Sequence, residues 1–130
     1  MQRNEDGSEG FVMVFTEEAA TSVVTALRER RITHQDMSVL LTLLAHVNWR
    51  SGRVNMNQRA LAQVMGLQQT NCSTSVRRLQ KLRFVVRTCD VNSGQNFFLI
   101  NPRFASVGSP QRRGLLYQQF LDAFPEQPQE

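Results

Sequence analysis

The chain has 130 residues, 41% of them hydrophobic, and a formal net charge of +4, dimensions that suit one compact domain with a real core and little room for a second. No apolar run approaches the roughly 20 residues of a membrane-spanning helix, and the opening MQRNEDGSEG is polar and partly acidic, so we expect a cytoplasmic protein without a signal peptide or a membrane partner. Cys72 and Cys89 form no CxxC pair, His34 and His46 cluster with neither, and no paired carboxylates, nucleophile-histidine motif or glycine-rich phosphate loop occurs, which argues against a metal, a disulfide framework, a cofactor or an enzyme.

Residues 1–10 read as a polar tail, and Phe11 to Phe15, FVMVF, has the length of a strand. Thr16 followed by Glu17 and Glu18 starts a helix with acids in its first turn, running to about Arg30. Thr33 and Asp36 have the spacing of a capping box for a second helix. Its inward face is expected to carry Met37, Leu40, Leu41, Leu44 and Val47, and its end to lie near Trp49. SGRVNM is a turn and a short strand. Asn57 caps a third helix of about two turns with Leu61, Val64 and Met65 inward, and Gly66 ends it in the left-handed conformation.

A fourth helix is predicted from near Gln69 to about Leu82. At 100° per residue, Cys72, Ser75, Val76, Leu79 and Leu82 share one face, while Thr70, Ser73, Thr74, Arg77 and Lys81 share the other, with Arg78 at its edge. Two helices joined by a short glycine-containing turn make a helix-turn-helix. From Met37 to Cys89 there is no acidic residue, yet Arg50, Arg53, Arg59, Arg77, Arg78, Lys81, Arg83 and Arg87 fall there. A one-sign stretch suggests a polyanion partner, because mixed charge costs less self-repulsion. Small polar side chains early in a helix, with arginine after them, suit the major groove: they approach base edges without clashing and arginine reaches guanine or phosphate. A merely solvated face would alternate Glu and Lys.

Two apolar strands follow, Phe84 to Val91 and Asn96 to Ile100, with Asn92 to Gln95 as the hairpin turn. The fold class is therefore mainly α with a small β-hairpin wing: a winged helix-turn-helix over residues 11–108. Ser109 and Pro110 open a C-terminal helix over 109–124, with residues 125–130 as a tail. Its apolar positions Leu115, Leu116, Tyr117 and Phe120 either fold back on helix one or pair with a second copy, and the dimer is favoured. Candidate DNA-binding residues are Arg53, Asn57, Arg59, Gln69, Thr70, Asn71, Ser73, Thr74, Arg77, Arg78, Lys81 and, at the wing tip, Asn92 and Gln95. Thr70, Ser73, Thr74 and Arg77 are placed for base readout; Arg53 and Arg59 are placed for phosphate anchoring.

The segment VNMNQRALAQVMGLQQTNCSTSVRRLQKLRFVVR, the wing ending FFLINPRF, Gly108 and the helix RRGLLYQQF together resemble the RepL-type plasmid replication proteins over roughly residues 11–120. The INP triplet and the downstream glycine are the more specific elements, since regulators of the MarR kind share the helix-turn-helix part. The resemblance implies a winged-helix protein of a plasmid, phage or other mobile element that binds double-stranded DNA at an origin as a replication initiator or copy-control protein. A MarR-like regulator at a promoter is the alternative, and a protein-interaction winged helix a minor one. Host replication proteins or RNA polymerase are then conceivable partners. The sequence departs from the family pattern at Arg83, where a small residue or glycine often precedes the wing strand.

Overall fold

The computed structural model describes residues 13–14, 19–48, 51–106 and 110–124. The expected tails, the Thr16 to Glu18 helix start, Trp49, Gly108 and Ser109 lie outside these residues. Strand β1 (Met13–Val14) precedes a π-helical segment, Ala19–Val24, that runs into helix α1 (Thr25–Arg28). The chain leaves α1 through Arg30 at φ 61°. Arg31 N–H donates to Ala26 O at 2.9 Å and Arg30 N–H to Leu27 O at 3.1 Å, the pair of bonds that closes a helix around a left-handed residue.

Helix α2 (His34–Ala45) starts at the expected capping box: Asp36 N–H donates to Thr33 Oγ1 at 3.1 Å and Thr33 N–H to Asp36 Oδ2 at 2.9 Å. Its buried face is Asp36, Val39, Leu40 and Leu43, with Met37 and Leu44 half-buried along its edges; the helix ends at Ala45, short of the end expected near Trp49, so Val47 packs on the core from beyond it. Leu41, expected inward, is 54% exposed. Apolar residues on α2 outnumber one stripe, and the buried carboxylate of Asp36 sets which of them turn inward.

Strand β2 (Arg53–Val54) leads to helix α3 (Gln58–Met65), which buries Leu61 and Ala62. Met65 is half-buried, whereas Val64, also expected inward, faces solvent. Gly66 closes α3 at φ 68° as predicted. Helix α4 (Gln69–Lys81) follows α3 after three residues and buries Cys72, Ser75, Val76 and Leu79. Strands β3 (Val85–Cys89) and β4 (Asn96–Ile100) form the hairpin. Strand β5 (Ala105–Ser106) pairs with β1, and helix α5 (Pro110–Asp122) comes last. The antiparallel sheet has the order β2-β4-β3, with Arg53 and Val86 both opposite Leu99. The protein is thus a mainly helical winged helix-turn-helix with a C-terminal helix.

The sheet explains where that last helix goes. Side chains alternate across a strand, yet Phe97, Phe98, Leu99 and Ile100 are all buried, so both faces of β4 are covered. Phe98 and Ile100, with Val54 and Val85, face the core shared with α2, α3 and α4. Phe97, Leu99 and Val86 face the other way and pack with Phe120, flanked by Ala123 and Phe124. Phe120 is fully buried and meets Phe124 edge-on at 5.0 Å between ring centroids. Leu116 is also buried, against Gly52, where an added Cβ would come within 2.9 Å of its side chain. Two of the four residues assigned to dimerisation therefore complete this chain's own core. The helix covers the outer face of the sheet through Phe120, because a four-residue apolar strand needs a cover on each side.

Replacing Phe120 with Ala should cost about 3–5 kcal/mol, as for other buried aromatics, whereas Leu115→Ala, at a position 69% exposed, should change stability by no more than about 0.5 kcal/mol. Urea unfolding of the two variants checks this. Equal effects would mean that α5 is not docked on the sheet.

Candidate nucleic-acid interface

Asn57 occupies the N-cap of α3, its Oδ1 accepting from Ala60 N–H at 2.8 Å. This bond gives the exposed Asn57 a capping role that starts α3. The inner face of α4 is tied down by packing and by two polar contacts. Gln35 Nε2 donates to Ser75 Oγ at 3.2 Å, and Cys72 Sγ lies 3.8 Å from Gln58 O. Burial pushes the Cys72 thiol up, which makes it a packing residue and a poor nucleophile.

The strongest tie is ionic. Asp36, fully buried, receives Arg78 Nη1 at 3.1 Å on Oδ1 and 3.3 Å on Oδ2. One carboxylate thereby caps α2 and grips α4. Arg78, expected at the edge of the DNA face, is spent on this pair, because a buried carboxylate needs a cation more than an exposed face does.

What remains outward on α4 is the predicted polar face. Gln69, Thr70, Asn71, Arg77 and Lys81 are exposed, and Ser73 and Thr74 are half-buried between them. Thr74 Oγ1 donates to Thr70 O at 2.9 Å. Arg59 is exposed on α3, on the element preceding this face. Arg53 does not act as a free anchor. Its Nη1 meets Asp90 Oδ2 at 2.9 Å and its guanidinium lies 4.1 Å from the centroid of the Phe97 ring, so it joins β2 to the wing.

Arg87, absent from the candidate set, belongs to this surface. It is exposed on β3, donates from Nη1 to Gln58 Oε1 at 3.0 Å, and its N–H donates to Gln80 Oε1 at 3.0 Å. It therefore bridges the start of α3, the end of α4 and the wing. Strand alternation next to Val86 carried that signal.

The wing tip is closed by hydrogen bonds that converge on Asp90. Asp90 Oδ1 accepts from Asn92 N–H at 2.8 Å and Ser93 N–H at 3.1 Å, while Gly94, at φ 74°, sends its N–H to Asp90 O at 2.8 Å. Asn92 and Gln95 are exposed on this turn, as expected. The Ser93 N–H, then the Arg53 guanidinium and the Asn92 N–H, hold the Asp90 carboxyl below the ordinary aspartate value of 3.8.

The base of the wing settles the departure at Arg83. This residue takes φ 62°, with Phe84 N–H donating to Leu79 O at 2.9 Å, so the tight turn is kept at the cost of about 1–2 kcal/mol for a left-handed non-glycine residue. Its guanidinium lies 4.5 Å from the Phe124 ring centroid. Asn101 of the INP triplet latches the turn: its Nδ2 donates to Arg83 O at 2.9 Å and its N–H to Phe84 O at 2.9 Å.

Among the described residues no group of His, Cys, Asp or Glu could hold a metal ion, and no helix is long and apolar enough to cross a membrane. No protein-family model and no curated protein matches the chain. Among solved structures it is similar to a MepR-DNA complex from S. aureus, at 16% identity and TM-score 0.47, covering 83% of this chain and 77% of that one. It is also similar to a MarR-family transcriptional regulator from a Rhodococcus species, at 21% identity and TM-score 0.42 with 83% and 70% covered. A third is a possible transcriptional regulator from Methanosarcina mazei, at 14% identity and TM-score 0.42 with 88% of each chain covered.

Arg78→Ala leaves the Asp36 carboxylate buried without its cation and should lower unfolding stability by about 1–3 kcal/mol, read by urea melts. Unchanged stability would return Arg78 to the outer face. Because the folded-state pKa of Asp90 is depressed, its contribution is present at neutral pH and is lost as pH falls through the folded value. The amide shifts of Asn92 and Ser93 should therefore titrate below pH 3.8, and Arg53→Ala should move that midpoint back up.

Proposed function

We propose that the protein binds double-stranded DNA sequence-specifically, with the outer face of α4 in the major groove. The observation that carries this is the face itself: Thr70, Ser73, Thr74, Arg77 and Lys81 on a helix with no acidic residue, over an opposite face that is buried and pinned. Thr70, Ser73 and Thr74 are short enough for close approach, and Arg77 is long enough to fork onto a guanine edge. Arg59, Lys81 and Arg87 supply positive charge around them. The wing tip, with Asn92 and Gln95 exposed and Asp90 neutralised by Arg53, can lie against the backbone without repelling it.

The resemblance to RepL-type proteins supports a finer reading, a replication initiator or copy-control protein acting at an origin. A promoter-binding regulator would use the same helix in the same way, so DNA selection from a replicon library distinguishes the two by where the recovered sites lie. A homodimer on two half-sites belongs to the same proposal, and the half-buried Tyr117 and exposed Leu115 of α5 are the part of the assigned surface still open to a second copy.

With Arg59, Arg77, Lys81 and Arg87 as phosphate or base contacts, log K against log salt should have a slope of about −4 per monomer. Arg77→Ala should cost about 1–3 kcal/mol on the selected site and relax its preference, whereas Arg59→Ala should weaken all duplexes alike. Fluorescence anisotropy across a salt series measures both, and its saturation point gives one or two chains per site. A flat salt response, or an Arg77→Ala protein with unaltered preference, would overturn the assignment.

A further inference from the structure

The arginines of the chain differ in what holds them. Arg31, Arg53 and Arg78 each meet a carboxylate, that of Glu29, Asp90 and Asp36, at 2.8, 2.9 and 3.1 Å, and Arg83 lies over the Phe124 ring. Arg87 is held by amides. Its Nη1 donates to Gln58 Oε1 at 3.0 Å, and its backbone N–H donates to Gln80 Oε1, also at 3.0 Å. A carboxylate offsets the charge of the arginine it holds, whereas a carboxamide fixes the guanidinium and leaves its charge whole. Strand alternation aims the side chain. Arg87 stands opposite Phe98 and shares the face of Val85, the core side of the sheet where α3 and α4 pack, not the side covered by Phe120. The same bond orients the Gln58 amide: only its oxygen can accept from Arg87, so its Nε2 lies on the far side of the amide carbon and donates to no other group among the described residues.

We infer, on the placement of α4 in the major groove proposed above, that Arg87 and Gln58 together hold one backbone phosphate of the duplex where α3 meets the wing. Neither residue lies on α4: Gln58 opens α3 and Arg87 belongs to β3. Contacts made beside a recognition helix set its position on the backbone, while base edges are read by the helix itself. A phosphate oxygen only accepts hydrogen bonds, and this pair offers donors, the remaining N–H groups of the guanidinium and the Nε2 of Gln58. One ligand is charged and the other neutral, which gives the two residues different signatures in salt. An arginine already held in place also loses less freedom on binding than a long side chain that swings in solvent. Gln80, in the last turn of α4, ties the strand that carries Arg87 to the reading helix, so the phosphate site and the Thr70 to Lys81 face are joined by a direct bond as well as by the chain.

Fluorescence anisotropy of the full chain with a short mixed-sequence duplex and with the duplex it selects tests the site, in a salt series for each variant. Arg87→Gln should weaken both duplexes by the same factor, about tenfold for one charge-assisted contact, and should reduce the slope of log K against log salt by about 0.9. Arg87→Lys keeps the charge and should keep the slope. Gln58→Ala should weaken both duplexes about threefold with the slope unchanged, since a neutral donor displaces no ion. Added to Arg87→Gln, it should cost about threefold again; no further loss would mean that Gln58 acts only by holding Arg87, and would overturn the shared site. In a scan of the selected duplex, one phosphate replaced by an uncharged methylphosphonate should cost the unsubstituted protein about tenfold and the doubly substituted protein nothing. The absence of any such position overturns the site as well. Arg77→Ala separates this site from the α4 reading: if it relaxes sequence preference while Arg87→Gln leaves the slope unchanged, the phosphate site falls and α4 remains the reading helix. Duplex affinity that does not respond to salt overturns both.

Discussion

The carboxylate of Asp36 is the interaction on which the candidate site depends. It is removed from water, accepts the Thr33 N–H that starts α2, and receives Arg78 from the last turn of α4. A charge in that position is tolerated only while it is paired, so the pair is less a source of net stability than a demand that α4 sit at one rotation about its axis. That rotation puts Cys72, Ser75, Val76 and Leu79 inside. It leaves the Thr70 to Lys81 face outside as a set. The cap geometry of one helix thus decides what another helix shows to a partner.

A second constraint comes from the sheet. Four consecutive apolar residues in β4 supply both faces, and the helical core can cover only one. The chain covers the other with its own last helix, through Phe120 and Leu116. Winged-helix and C-terminal segments are in this sense a single packed body, with the sheet as the middle layer. Arg83 takes part on both sides: its carbonyl is held by Asn101 and its guanidinium by Phe124.

Local signals were legible in the sequence, and so were the boundaries they set. Asn57, Gly66 and the Thr33–Asp36 pair act through neighbours a few residues away, and the structure has them in those roles. The polar face of α4 followed from helical periodicity alone. Contacts between distant residues were not legible. Arg78 and Asp36 are 42 positions apart, and Arg53 and Asp90 are 37 apart; nothing in either arginine's surroundings distinguishes an internal partner from a phosphate. Leu41 and Val64 were misplaced because α2 and α3 carry more apolar residues than one stripe holds, and rotation was chosen by tertiary contacts. Phe120 and Leu116 looked like surplus apolar area only because a strand hydrophobic on both faces was counted as a wing and not as a layer.

The pairing of β2 with β4 has a topological meaning. Val54 bonds opposite Phe98, and the chain between them contains the whole helix-turn-helix and one arm of the wing. The helix-turn-helix with its wing is therefore a closed loop whose two ends are fastened in one ladder, and β3 is fastened to the same strand. Opening that ladder releases the ends of the loop together, so α3, α4 and the wing form one cooperative unit for local unfolding. The outer face of α4 and the wing are thus fastened to each other through one strand, β4, and not only through the loops that join them.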